Sequence, residues 1–258
     1  MKPSVIGGTS AGSLVASLYA MGYSPYYIYI LFKKYADEIV EINGGNVISG
    51  IGSFVKNKKI HIDGLKSGET IEKAYNQIAL KKGVKQMGHI AMPLVIPSVD
   101  IMDSREYIFT SQIPKGEEKN SRYIHNITVG KAVRASSSFP AIFSPCRVGK
   151  HAFMDGGMLD NIPVLEVRKQ GAEKVLAVNF DSDPVREDSN IMDIIMKTLD
   201  IMGNKISEKS LKTSDYILTI STDKTGLLDT SKLDNCYRAG INSVHENIDL
   251  IKKALLKE

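Results

Sequence analysis

Ser10 lies in Gly8-Thr9-Ser10-Ala11-Gly12, a GxSxG spacing that suits a serine for nucleophilic attack. Where such a segment joins a short strand to a helix, the turn holds the serine in a strained backbone conformation. Gly8 and Gly12 are expected to leave room for chain passing close by. The hydroxyl then projects at the carboxyl edge of a sheet. The following helix turns its first amides, beginning with Ala11, and its partial positive charge toward an oxyanion forming there. The flanking sequence supplies this context. Residues 4–7 are short and apolar. From Ser10 to Met21 the positions Leu14, Val15, Leu18 and Tyr19 share a helical face, and Gly22 suits the cap. A glycine–serine turn with Ser10 as a plain N-cap has the same composition, so the pattern needs a partner before it counts as chemistry.

That partner must take a proton. Histidine is the usual base, oriented by an acid. The chain has His61, His89, His125, His151 and His245. Order alone permits Ser10, Asp155 and His245, but His245 falls inside a helical pattern, whereas a triad histidine normally sits in a loop. His151 precedes Asp155 by four residues, at the start of a strand. The histidines therefore read as surface or hydrogen-bonded structural residues. In Phe153-Met154-Asp155-Gly156-Gly157 an acid ends an apolar segment and two glycines follow, which permits a tight turn and close approach of another segment. A carboxylate there can accept the serine proton directly, as base of a two-residue dyad. Alone, Asp-Gly-Gly is an ordinary turn, and only Ser10 makes it informative.

The elements that must bring these residues together alternate between strand and helix. Helical patterns cover residues 26–40, 69–82, 128–137, 163–170, 191–209 and 231–257. Thr128 is a plausible N-cap, and Gly171 follows the fourth helix. Strand patterns cover residues 90–99, 106–110, 174–181 and 216–221. In the last helix Ile241, Val244, Ile248, Ile251 and Leu255 form one stripe. Residues 43–52 and 60–68 read as loops. This alternation predicts an α/β fold: a mostly parallel central sheet with helices on both faces, in a single domain over residues 1–258. The tyrosine-rich helix through residues 19–35 reads as core packing ahead of an acyl groove or a membrane-facing surface. Asp100 and Asp103 read as surface acids of a turn.

Composition narrows the classes. The net charge of +4 comes without a block of five like charges, so nucleic acid is not an expected partner. Cys146 and Cys236 form no CxxC pair, and no HExxH or close His/Cys/acid cluster marks a metal site. Neither a GxxxxGK[ST] loop nor a GxGxxG after a strand is present, so no nucleotide site is indicated. No apolar run approaches the ~18 residues of a membrane span, and the first residues lack a signal-peptide stretch. A cytoplasmic location is the expectation.

Taken together, the Ser10 elbow and Asp155-Gly156-Gly157 resemble the patatin-like phospholipases. Ala135-Ser136-Ser137-Ser138-Phe139-Pro140 resembles that family's small-residue segment ending in proline. Residues 155–164 resemble its acid loop and following helix, and Asp63-Gly64-Leu65 with Gly68 resembles its middle region. The resemblance runs from Pro3 to about Asp181 and more loosely to the end. It implies a Ser–Asp dyad of Ser10 and Asp155, elbow glycines Gly8 and Gly12, acid-loop glycines Gly156 and Gly157, and an acyl-enzyme intermediate. Fatty-acyl esters of lipids would be hydrolysed without metal or organic cofactor. A peripheral contact with a membrane surface would be compatible with such a substrate. The family's pattern begins with a glycine-rich loop after a first strand, and its amides form most of the oxyanion hole. Nothing before Ser10 matches it, and Asn43-Gly44-Gly45-Asn46 comes after the elbow helix. The implied sheet lacks that strand and a covering helix, leaving an unpaired edge, an apolar face and chiefly the Ala11 amide as oxyanion donor, with impaired catalysis as the consequence. A non-catalytic lipid- or protein-binding remnant is the competing expectation, and an acyltransferase using the same intermediate is a third.

Overall fold

The computed structural model describes residues 1–40, 66–140, 142–181, 191–221 and 230–256. In chain order its elements are β1 (Ile6–Gly7), α1 (Ala11–Ala20), α2 (Pro25–Val40), α3 (Glu69–Leu80), β2 (Leu94–Asp100), β3 (Arg105–Thr110), β4 (Tyr123–Ile124), α4 (Val129–Ser136), β5 (Cys146–Val148), β6 (His151–Asp155), α5 (Val164–Lys169), β7 (Leu176–Phe180), α6 (Ile191–Leu211), β8 (Tyr216–Ile220) and α7 (Leu233–Leu255). Asp63-Gly64-Leu65, Asn43-Gly44-Gly45-Asn46 and His61 lie outside the described residues.

The near-continuous apolar run at residues 90–99 becomes β2, and every residue of that strand is buried. Burial on both faces is what such a run demands. Leu14, Leu18, Ile71, Tyr75, Val129 and Val133 from α1, α3 and α4 form the main core together with Leu94, Ile96, Phe109 and Phe153 of the sheet. On the opposite face, Val167 of α5 packs against Val95, Ile108 and Tyr123.

One edge of β2 pairs along its length with β3. Its other edge is shared. β1 pairs in parallel with Leu94 and Val95, and β6 pairs antiparallel with residues 98–100. The two strands point at each other, and their carboxyl ends meet beside Ile96 and Pro97. Proline cannot donate to a sheet ladder. Val95 gives its carbonyl to Gly8 on this edge, and residues two apart on a strand face the same side. The missing N–H of Pro97 therefore falls in the gap between β1 and β6.

The α/β architecture expected from the alternating pattern holds, but the sheet is mixed. β1 with β2 and β3 with β4 run parallel, whereas β2 with β3, β2 with β6 and β5 with β6 run antiparallel. The cause is connection length. β2 turns into β3, and β5 into β6, through short links, and a short link can only make an antiparallel neighbour. Ser104, with φ 58°, takes the left-handed position of the first link. β7 and β8 form a separate parallel pair. Val164, Val175 and Ala177 join β7 to α5, and Ile251 of α7 covers Leu218 and Ile220. Leu176, Val178 and Phe180 of β7 are exposed.

Two local readings change. In the tyrosine-rich segment Tyr19 and Tyr23 pack on the core, but Tyr26 is 64% exposed and Tyr27 is exposed beside it. The helical stripe of α2 is narrower than its aromatic content. Asp100 is not a surface acid. It is 1% exposed and accepts hydrogen bonds from the Ala152 and Met102 amides at 2.9 and 3.0 Å, and His151 Nδ1 lies 2.6 Å from its other oxygen. Burial alone would raise its pKa, but these partners outweigh burial and hold it below the ordinary carboxylate value. A lowered folded-state pKa contributes stability above the unfolded value and loses it as pH falls through the folded one. Asp100→Ala, which strands several buried donors, is expected to lower unfolding free energy by about 3 kcal/mol at neutral pH. Urea titrations at pH 7 and pH 3 check this, since the difference from wild type should shrink at the lower pH.

Candidate active site

The abutting strand ends carry the two residues singled out by their chemistry. Ser10 leaves β1 through Gly8 and Thr9, with φ 53° and ψ −122°. That conformation is sparsely populated for a residue with a side chain and persists only where the surroundings impose it. Its carbonyl accepts the Ser13 amide at 2.9 Å and the Ser13 hydroxyl at 2.6 Å. Its amide donates to Ser136 Oγ at 3.1 Å. A Cβ on Gly8 would lie 2.3 Å from the Gly12 carbonyl oxygen, so only glycine lets the strand end press on the first turn of α1. The same steric role does not extend to Gly12, where an added Cβ would meet open space among the described residues. Ser10 is half-buried, and Ala11 and Gly12 face solvent.

Asp155 ends β6 and is 3% exposed. Its amide donates to the Ser138 carbonyl at 3.0 Å. Its Oδ1 accepts the Gly157 amide at 2.8 Å, and its Oδ2 is buried without a hydrogen-bond partner among the described residues. Burial raises the Asp155 pKa to about 6, against the opposing pull of the nearby Ser10 side chain and the Gly157 amide. Ser10 is thus close enough to influence the carboxyl, yet no bond of ordinary length and angle joins it to Oδ2. Contacts between the flanking residues hold the two loops together. Thr9 Oγ1 donates to the Asp160 carbonyl at 2.8 Å, and an added Cβ on Gly156 would lie 2.9 Å from Thr9 Cγ2 and 2.3 Å from the Pro97 carbonyl oxygen. Gly156 therefore fills the space where β1, β2 and β6 converge. Gly156→Ala is expected to cost about 3 kcal/mol or more through overpacking against rigid backbone. It should also displace Asp155 from Ser10. Thermal unfolding and ester turnover of that variant check both effects.

The acid loop is held from its other side as well. The Asn161 amide donates to Ser207 Oγ on α6 at 3.2 Å. Asp160 is pushed up to about 8 by burial and by the charges of Glu106 and Glu166, with Lys169 opposing.

The profile of the patatin-like phospholipase family matches residues 1–168, a span that contains both loops. The chain belongs to the patatin-like phospholipases. Proteins similar to it include lysophospholipase NTE1 of Candida albicans, 25% identical over 92% of this chain and 17% of that protein. Probable lipid hydrolase 463L of Invertebrate iridescent virus 6 is 28% identical over 63% of this chain and 52% of its own length. This chain therefore spans about a sixth of the fungal protein and about half of the viral one. VipD from Legionella pneumophila superimposes with a TM-score of 0.40 at 14% identity, over 93% of this chain and 60% of that one.

In this patatin-like chain the residues that sequence reasoning singled out converge: Gly8, Ser10, Ala11, Asp155, Gly156 and Gly157 all lie where β1 and β6 meet. His151 and His245 do not. His245 lies in the middle of α7 and His151 is held by Asp100. Among the described residues no group of three or more His, Cys, Asp or Glu could hold a metal ion, and no helix is long and apolar enough to cross a membrane. The sequence reading missed Thr9, Ser136 and Ser138 as residues that fix the loops. The serine run at the end of a helical pattern, resembling the family's small-residue segment, was the signal for the latter two, and it gave no hint of which backbone they would grip.

Proposed function

We propose that this patatin-like chain hydrolyses fatty-acyl esters of lipids, with Ser10 as nucleophile and Asp155 as general base. The observation that carries the reading is the proximity of a strained serine to a buried carboxyl whose second oxygen has no hydrogen-bond partner among the described residues. A carboxyl poised near pH 6 is ionised at neutral pH, and it is a stronger base than an ordinary aspartate. It takes the Ser10 proton as Oγ attacks the ester carbonyl. The oxyanion develops at the N-terminus of α1, where the Ala11 amide and the helix dipole favour negative charge. Collapse returns the proton from Asp155 to the departing alcohol, leaving the acyl group on Ser10. Water, deprotonated by Asp155, then attacks the acyl carbonyl, and Asp155 returns that proton to Ser10 Oγ as the bond to Oγ breaks and the fatty acid leaves. Fatty-acid release from a lysophospholipid by the full chain, halted by covalent fluorophosphonate capture, is the expected result. Lipid binding by the folded chain without any ester turnover would instead support the binding remnant.

A further inference from the structure

We propose that Ser136 is a positioning residue for Ser10, and that the end of α4 aligns the two halves of the site through Ser136 and Ser138. The proposal rests on the Ser10–Asp155 reading above. Ser136 is the last residue of α4 and is 0% exposed. Its Oγ accepts the backbone amide of Ser10, 126 positions away in sequence. Two residues on, the Ser138 carbonyl accepts the backbone amide of Asp155. One short segment thus grips the peptide groups of both the nucleophile and the base.

The two contacts differ in what they can be asked to do. A carbonyl is present whatever the residue, so the Ser138 contact depends on chain path alone. The Ser136 contact depends on a hydroxyl. Without it the Ser10 amide, at a φ of 53°, loses its described partner on the side facing α4. A partly buried donor left unpaired carries a free-energy cost that favours movement toward another acceptor. Since Ser10 is held at its carbonyl by Ser13, release of its amide rotates the strained residue about its own Cα and carries Oγ away from Asp155. Ser137 provides the contrast. It is also buried, but its hydroxyl donates back to the Val133 carbonyl of its own helix and not to Ser10 or Asp155.

The test follows fluorophosphonate labelling and ester turnover in Ser136→Ala, Ser136→Cys and Ser137→Ala of the full chain, each checked for folding by thermal denaturation. Ser136→Ala is expected to slow labelling and kcat by about 10- to 100-fold with KM unchanged, as misalignment of a reacting group does. Ser136→Cys, which keeps a weaker acceptor of similar size, should fall between that variant and wild type. Ser137→Ala should match wild type. Equal rates in Ser136→Ala and wild type, or equal losses in Ser136→Ala and Ser137→Ala, would overturn the proposal. If Ser136→Ala does not fold, Ser136→Cys decides, and an unchanged labelling rate there overturns it. Failure of the underlying reading is separate: the label would then survive Ser10→Ala.

Discussion

Ser10→Ala is expected to bring ester hydrolysis to within reach of the uncatalysed background, a loss of about 10⁴-fold or more, while the fold survives. Backbone and side chain of Ser10 have separate roles. The backbone bonds that impose the unusual φ and ψ run from the Ser10 amide to Ser136 and from its carbonyl to Ser13, and alanine keeps both. Only Oγ is removed. With no nucleophile there is no acyl-enzyme, and what remains is whatever rate the Ala11 amide and substrate positioning can support. Initial rates beside a thermal melt distinguish this from unfolding. A variant that loses activity only in proportion to its folded fraction would refute a chemical role for the hydroxyl.

Asp155→Asn should have the next largest effect, and in two directions at once. Turnover at pH 7.5 is expected to drop about 10³- to 10⁴-fold, because an amide cannot accept the serine proton. Stability should move the other way. The carboxyl has a folded-state pKa raised from 3.8 to about 6 by burial. A raised value means the folded state prefers the protonated form. The stability this supplies is complete below the unfolded pKa and lost as pH rises through about 6. Two pKa units correspond to about 3 kcal/mol. Asparagine carries no charge at any pH, so the variant should be more stable than wild type at pH 8 and similar to it at pH 4. Urea unfolding at the two values checks the sign. A site that is strained and desolvated for chemistry typically gives up stability in this way.

How far the site could be read from sequence depended on the range of the forces involved. The Ser10 elbow was legible because its requirements are local: a strand end, a residue held at positive φ, a close approach at Gly8 and a helix start lie within a few residues. Thr128 was legible as a cap for the same reason, its side chain accepting the Lys131 amide. Asp155 became informative only through Ser10, since the contact between them is a property of β2, whose one edge receives both strands. No periodicity encodes that sharing. Nor does any local pattern reveal that Asp100 turns inward, because its partner His151 lies 51 positions away and burial comes from β6 packing beside β2. The mixed direction of the sheet was missed on the same ground. Alternation of strand and helix suggests parallel crossovers, while the short links at residues 101–104 and 149–150 reverse the chain. Gly12 shows the converse: a motif position read as a steric necessity has open space beside it among the described residues.

The account stands on proton transfer from Ser10 to Asp155, and the pH dependence of fluorophosphonate labelling tests it most directly, with the modified residue located by peptide mass spectrometry. The label should map to Ser10, and its rate should rise with pH to a plateau with a midpoint near 6, the value to which burial brings the Asp155 carboxyl. Labelling at another residue, or a Ser10 rate that is flat between pH 5 and 8, would contradict it.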